Sequence, residues 1–337
     1  MSSIPDLALA ALLAAVALLI SYGATRALID ALASRAILDR PNERSSHVTP
    51  TPRGGGIGVL AALLPAWLFS AHLFPNPPDG IAVIVTLALA LALVSWADDL
   101  QGLGPALRLA AQVATVAVVL ITLPFPTPVF GGLLPPALDI VASALLWLWF
   151  INLFNFMDGI DGIAGVQTAG VGIGVFIVAK MAGMGGAWQT LGLTAAAAVG
   201  FLRWNWHPAK VFLGDVGSVP LGFLLGWLLL GLAAHGHPAP ALILPMYFLA
   251  DATITLVRRA LRGEKVWTAH RLHFYQQAVQ AGLGHNEVAR TIAYANVVLV
   301  LLAIASLEYT WLPVLIAICV VGALLLYLAR QRPTGSR

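Results

Sequence analysis

The chain has 337 residues, of which 59% are hydrophobic and only 10% charged. A soluble domain carries roughly 25% charged residues, so 33 formal charges are too few to coat a water-exposed globule of this size, and the bilayer is the expected solvent. The same figures exclude disorder, which needs low hydrophobicity and high charge, and a net charge of +3 is too mild to suggest nucleic acid. The one cysteine, Cys319, lies in an apolar run and offers neither a disulfide nor a thiolate cluster.

Taken in chain order, eleven windows approach the roughly 20 apolar residues that a membrane helix needs. They run over 4–22, 56–74, 80–97, 106–123, 137–154, 163–183, 187–203, 218–234, 240–257, 289–306 and 311–329. The first is read as a retained helix, since Met1 to Asp6 carries an acid and no Lys or Arg, unlike a cleavable signal. The expectation is a single all-α polytopic membrane domain over 1–337, a bundle of about eleven transmembrane helices with a cytoplasmic tail at 330–337. With the N-terminus outside and the C-terminus inside, 17 of the 18 Lys and Arg fall on inner loops and their flanking turns, and only Lys180 falls outside. The positive-inside rule therefore fixes the expected orientation. The outer loops are short and Pro-rich, no repeat of 20–50 residues is evident, and the polar chemistry gathers on the inner side.

Asp98-Asp99 follows the third window. Adjacent helical residues point about 100° apart, so the two share a direction only if the helix ends there, as Gly102, Gly104 and Pro105 suggest. Neighbouring carboxylates repel and call for a cation, although an isolated acidic doublet is as often a solvated loop feature. The fifth window ends in Asn152, Asn155, Asp158 and Asp161, three residues apart, with Gly159 and Gly162 permitting a break that gathers them. Acids at membrane depth are costly and default to a functional site; the plain alternative is polar capping of a helix end. Asp215 stands between glycines in Phe212-Leu213-Gly214-Asp215-Val216-Gly217-Ser218, where it either approaches a ligand or caps the helix expected near Ser218. Arg53-Gly54-Gly55-Gly56 opens the second window as a candidate phosphate cradle. His270 and His273 are spaced to share a helical face, with Arg271 between them.

Together these motifs resemble the bacterial polyprenyl-phosphate N-acetylhexosamine-1-phosphate transferases, glycosyltransferase family 4, a superfamily that includes the phospho-N-acetylmuramoyl-pentapeptide transferases. The resemblance rests on Thr51-Pro52-Arg53-Gly54-Gly55, Asp98-Asp99, Asn152-x-x-Asn155-x-x-Asp158-Gly-x-Asp161-Gly, Phe212-Leu213-Gly214-Asp215-x-Gly-Ser218 and His270-x-x-His273, in that order. It implies attack of a lipid phosphate on the β-phosphorus of a UDP-activated amino sugar, with release of UMP. It implies Mg²⁺, or Mn²⁺ in its place, held by Asp215 and Asn155, and catalytic roles for Asp98, Asp99, Asp158, Asp161 and His270. Arg53, Arg108, Asn152, Arg271 and His273 are the implied substrate-binding residues, and Phe212 the aromatic that stacks on uracil. The implied partners are undecaprenyl phosphate, a UDP-N-acetyl amino sugar and the bacterial inner membrane, with no nucleic acid; a homodimer is carried as a candidate.

The pentapeptide transferases usually have three consecutive histidines where this chain has His270-Arg271-Leu272-His273. That departure, with Pro41-Asn42-Glu43-Arg44-Ser45-Ser46-His47, is more similar to the O-antigen branch, whose sugars are often 6-deoxy (N-acetylfucosamine, N-acetylquinovosamine), with N-acetylglucosamine the main competitor. Two other classes are weighed. An ion-coupled transporter needs acids at mid-membrane, where only Asp251 lies. An intramembrane aspartyl protease needs Gly where this chain has Phe212.

Overall fold

The computed structural model describes residues 4–41, 46–47, 49–75, 77–195, 198–266, 268 and 270–331. A long first helix α1 (Ile4–Ser34) leads into a small antiparallel hairpin of β1 (Leu38–Asp39) and β2 (Thr51–Pro52), in register at Leu38 with Pro52. The helices α2 (Gly56–Leu73), α3 (Ile81–Gln101), α4 (Pro105–Thr122), α5 (Pro136–Phe156) and α6 (Ile163–Met181) follow. Then come α7 (Gly186–Ala195), α8 (Ala198–Asn205), α9 (Asp215–Ala234), α10 (Pro238–Ile243), α11 (Met246–Leu261), α12 (Phe274–Gln280), α13 (His285–Ala305) and α14 (Trp311–Ala329). Proline opens α4, α5 and α10, where its missing N–H costs nothing and its fixed φ suits the first turn.

Among the described residues nine helices, α1 to α6, α9, α13 and α14, are long and apolar enough to cross a membrane. Of the two remaining windows, 187–203 holds α7 and α8, with residues 196–197 outside the described residues, and 240–257 holds α10 and α11. Between α10 and α11 lies Pro245, which supplies no N–H for a continuous helix. Window 240–257 is therefore two helices rather than one rod. Large apolar side chains such as Leu19, Ile121, Leu145 and Leu301 are more than half exposed on the outside of the bundle, as bilayer-facing residues must be.

The centre of the bundle is α9. It is buried without interruption from Val216 to Leu232 and packs against α2, α3, α5, α6 and α10. Trp147 on α5 stacks on Phe223 with ring centroids 4.9 Å apart and donates its indole N–H to the Phe223 carbonyl at 2.9 Å. Where α2 meets α9, the chains touch backbone to backbone: a Cβ on Gly56 would lie 2.2 Å from the Gly217 Cα. Small residues allow such close approach inside membranes. Gly56→Ala is therefore expected to cost about 3 kcal/mol, the upper end for overpacking, since backbone cannot step aside. Thermal unfolding checks this against Gly23→Ala, whose added methyl meets nothing within 4 Å and which is expected to be neutral or stabilising.

Candidate active site

The acids and arginines of these motifs meet at one end of the bundle, at the start of α2 and α9 and the end of α3. Arg53 Nη2 lies 2.7 Å from Asp99 Oδ1 and 2.7 Å from Asp215 Oδ1. Arg108, on the first turns of α4, places Nη1 2.8 Å from Asp98 Oδ2 and 3.4 Å from Asp215 Oδ2. Asp215 is thus clamped between two guanidiniums, each of which also holds one member of the acidic doublet. Burial would lower the Arg53 pKa, but the Asp215, Asp99 and Asp39 carboxylates outweigh it and raise the value above the ordinary one.

The doublet is splayed rather than gathered. α3 does not end at Asp98-Asp99 but continues through Leu100 and Gln101, closing at Gly102 with φ of 69°. Two consecutive helical residues consequently serve different partners. Asp98 takes the Leu103 N–H at 2.6 Å and Arg108. Asp99, with a fully buried side chain, accepts the N–H groups of Asp215 at 3.2 Å and Val216 at 3.0 Å as well as Arg53. Asp99 therefore caps α9 from another helix, where a carboxylate also complements the positive helix end. Asp215 is the first residue of α9 rather than the cap of a helix starting at Ser218. The preceding Gly214 has φ of 75°, the left-handed region that favours glycine.

The glycines 54–56 do not form a phosphate cradle. The N–H groups of Gly54 and Gly55 donate to the Phe212 carbonyl at 3.1 and 2.8 Å, and that of Gly56 to Leu213 at 2.9 Å, while the Phe212 N–H returns to Pro52 at 2.8 Å. Their donors are spent joining the 51–56 segment to the 212–213 segment. This joint sets Arg53 beside Asp215.

A cavity of about 340 Å³ opens beside the cluster, lined by Arg53, Asn155, Asp158, Asp161, Phe212 and Asp215 together with Asp39, His47, Asn205, Gln276 and His285. α5 stops at Phe156, and the turn after it swings Asp158 and Asp161 into this space. Asp158 is pushed up to about 7, first by burial and then by the repulsion of Asp215, against which Arg53 acts. Asp161 behaves oppositely: burial would raise it, but hydrogen bonding and charge at His285, the His207 bond and the Ala209 N–H bring it below the usual carboxylate value. Asn205 joins the two walls, accepting the Gly162 N–H at 2.9 Å and donating to Val211 at 2.9 Å. Phe212 meets the edge of His47, ring centroids 4.8 Å apart. Asn152 takes no part in the lining; it bridges α5 to α4 by donating to Gln112 at 2.7 Å.

His270, Arg271 and His273 are not among the residues lining this cavity. The two histidines do not share a helical face, because α12 begins after them at Phe274. Their rings stand 4.8 Å apart. His270 is held low, at about 4, by burial and by the nearby His273 and Arg259. His273 is buried and its Nδ1 lies 3.2 Å from Asp251 Oδ1. Asp251, the acid at mid-window that suggested an ion carrier, is instead a structural acceptor. It takes the N–H groups of Phe274 at 3.0 Å and Tyr275 at 3.3 Å and the Tyr247 hydroxyl at 3.1 Å. α12 so anchored backs the cavity, with the Tyr275 hydroxyl donating to the Phe156 carbonyl at 3.1 Å and Gln276 in the wall.

Sequence reasoning missed His207, His285 and Gln276. His207 and Gln276 lie a few residues outside the Phe212–Ser218 and His270–His273 motifs, whereas His285, at the start of α13, carries no local signal. Residues 42–45 of the 41–47 run, like 332–337 of the tail, lie outside the described residues.

Residues 81–233, from α3 to α9, match the model of glycosyl transferase family 4. The chain is 32% identical over 327 residues to the decaprenyl-phosphate N-acetylglucosaminephosphotransferase of Mycobacterium tuberculosis, covering 85% of this chain and 79% of that one. It is 28% identical over 268 residues to a probable undecaprenyl-phosphate N-acetylglucosaminyl 1-phosphate transferase of Bacillus subtilis, covering 74% and 71%. A phospho-N-acetylmuramoyl-pentapeptide-transferase of Picosynechococcus is 34% identical over 208 residues, covering 55% and 52%. With its apolar helices, its clamped Asp215 and these relatives, the chain belongs to the polyprenyl-phosphate N-acetylhexosamine-1-phosphate transferase superfamily of bacterial membrane enzymes.

Proposed function

We propose that the chain moves an N-acetylhexosamine 1-phosphate from a UDP-sugar to undecaprenyl or another polyprenyl phosphate, releasing UMP at the cytoplasmic face of the inner membrane. The observation that carries this reading is the charge arrangement beside the cavity. Three carboxylates, Asp98, Asp99 and Asp215, face two guanidiniums, Arg53 and Arg108, and Asp158, held partly protonated by burial and by Asp215, lines the adjoining space. That leaves a deficit which a divalent cation would balance. The oxygen donors Asp215 and Asn155 line the same space and suit Mg²⁺, which needs only one or two protein ligands beside substrate phosphates. Bound there, the ion would neutralise phosphate charge, the main requirement of phosphoryl transfer.

Within this reading the arginines exchange their carboxylate partners for substrate phosphates, for which guanidinium geometry is well matched. One of Asp98 and Asp99 orients or deprotonates the lipid phosphate; Asp98 is held by the Leu103 N–H and Arg108, and Asp99 by the α9 cap and Arg53. Phe212 offers a ring to the uracil, and Asp158 and Asp161 line the nucleotide-sugar side. The orientation comes from the distribution of basic residues. N-acetylglucosamine takes first place as the sugar because the Mycobacterium tuberculosis and Bacillus subtilis relatives are named for it. A 6-deoxy sugar for O-antigen is the second reading, supported by the His270-Arg271-Leu272-His273 run. Purified protein with Mg²⁺, undecaprenyl phosphate and a panel of UDP-sugars is expected to release UMP, most rapidly with UDP-N-acetylglucosamine. A preference for a 6-deoxy donor would reverse the order of the two sugars, and no turnover with any UDP-N-acetylhexosamine would overturn the reading.

A further inference from the structure

Asp161 and His285 of the cavity wall, with His207 beside them, offer a second set of ligating atoms. Asp161 Oδ2 is 2.6 Å from His207 Nδ1, and Asp161 Oδ1 is 3.3 Å from His285 Nδ1. One ligand atom from each of the three residues lies within 4.8 Å of the others. The protonation of His285 is set from behind: its Nε2 is 3.0 Å from the Ser46 carbonyl, an acceptor only, so Nε2 carries the hydrogen and donates. The other ring nitrogen, Nδ1, faces Asp161 Oδ1 at 3.3 Å, with a long 3.4 Å contact to the Asp161 N–H. A proton or a metal ion can bridge such a pair. A ring nitrogen held by a backbone carbonyl while the other faces inward is the usual support of a metal-binding histidine.

The donor set says which ion. Two imidazoles and a carboxylate suit zinc and its neighbours, whereas Mg²⁺ prefers oxygen throughout. With zinc bonds of about 2.0–2.1 Å, adjacent tetrahedral ligands stand about 3.3 Å apart, close to the 3.3 Å between Asp161 and His285. His207, whose side chain is 41% exposed, has room to rotate and complete the set. We propose that Asp161, His207 and His285 form a site for one divalent transition-metal ion of the zinc class, distinct from the Asp215 centre, with a fourth position open to the cavity. Such an ion would join the α5–α6 turn, the 206–210 loop and the start of α13.

The test uses full-length protein in detergent, stripped with chelator, loaded with Zn²⁺ in excess Mg²⁺, desalted and assayed for bound metal; Co²⁺ loading adds an absorption spectrum. Wild type and Asp215→Asn are expected to retain one equivalent of zinc and to show a zinc-dependent rise in unfolding temperature. His207→Ala and His285→Ala are expected to lose both, with affinity down by more than the roughly 10–100-fold that outer-shell partners cost. If His285→Ala fails to fold, the half-exposed His207 still decides the matter. No retained zinc in the wild type would mean that a proton occupies the gap, and unchanged zinc in His207→Ala would place the metal elsewhere. Either result overturns the proposal, and neither bears on UMP release.

Discussion

Asp215→Asn is expected to reduce UMP release by about 10³-fold or more, the upper range for removing one preorganised electrostatic partner, while leaving the protein folded. Among the described residues the carboxylate alone pairs with both Arg53 and Arg108, and it lines the cavity beside Asn155 and Asp158. Replacing it by an amide keeps the shape and keeps an oxygen for Arg53. It removes the charge that positions both guanidiniums and would hold a cation. Asp99 still caps α9 in this variant, because its bonds go to the backbone N–H groups of residues 215 and 216. An unfolding temperature near that of the wild type with activity lost is the expected pair of readings. Full activity would remove Asp215 from the reaction centre.

The second large effect is structural. Asp251→Ala is expected to destabilise the protein by about 4 kcal/mol or more, because several buried donors lose their acceptor together and each costs about 1–3 kcal/mol when unsatisfied. The N–H groups of Phe274 and Tyr275, the Tyr247 hydroxyl and His273 all converge on this side chain. α12 should detach, making the adjoining loop sensitive to limited proteolysis. Because Tyr275 and Gln276 back the cavity, activity should fall with it, although Asp251 itself is absent from the cavity lining. Asp251→Asn, which keeps oxygen acceptors while adding an unwanted donor, should lie between. Proteolysis and unfolding like those of the wild type would contradict this role.

These two aspartates show what a linear reading captures. Asp215 stands among glycines at the edge of an apolar window, and that interruption was visible without knowing what it faces. Asn155, Asp158 and Asp161 likewise gather because α5 stops at Phe156, a break that Gly159 and Gly162 announce. Partner choice was not visible. The carboxyl of Asp251 reaches residues 22–24 positions away, and Asp161 meets His285 across 124 positions. Such pairings depend on how helices pack, which no local spacing encodes. The glycines 54–56 mislead for the same reason: their pattern permits a phosphate cradle, but packing delivers the carbonyls of Phe212 and Leu213 first. The broken window 240–257 is intermediate, since Pro245 marks its interruption in the sequence.

The two arginines are mounted very differently. Arg53 follows a hairpin and precedes backbone bonds to Phe212 and the Gly56–Gly217 contact against the fully enclosed α9. Arg108 rides on α4, which packs along α3 and α5 and turns much of its surface outward. Asp215 is thus gripped by one rigid jaw and one compliant jaw. A ligand prying the grip apart meets least resistance on the α4 side, where Arg108 can yield while Arg53 and the α9 cap stay in register.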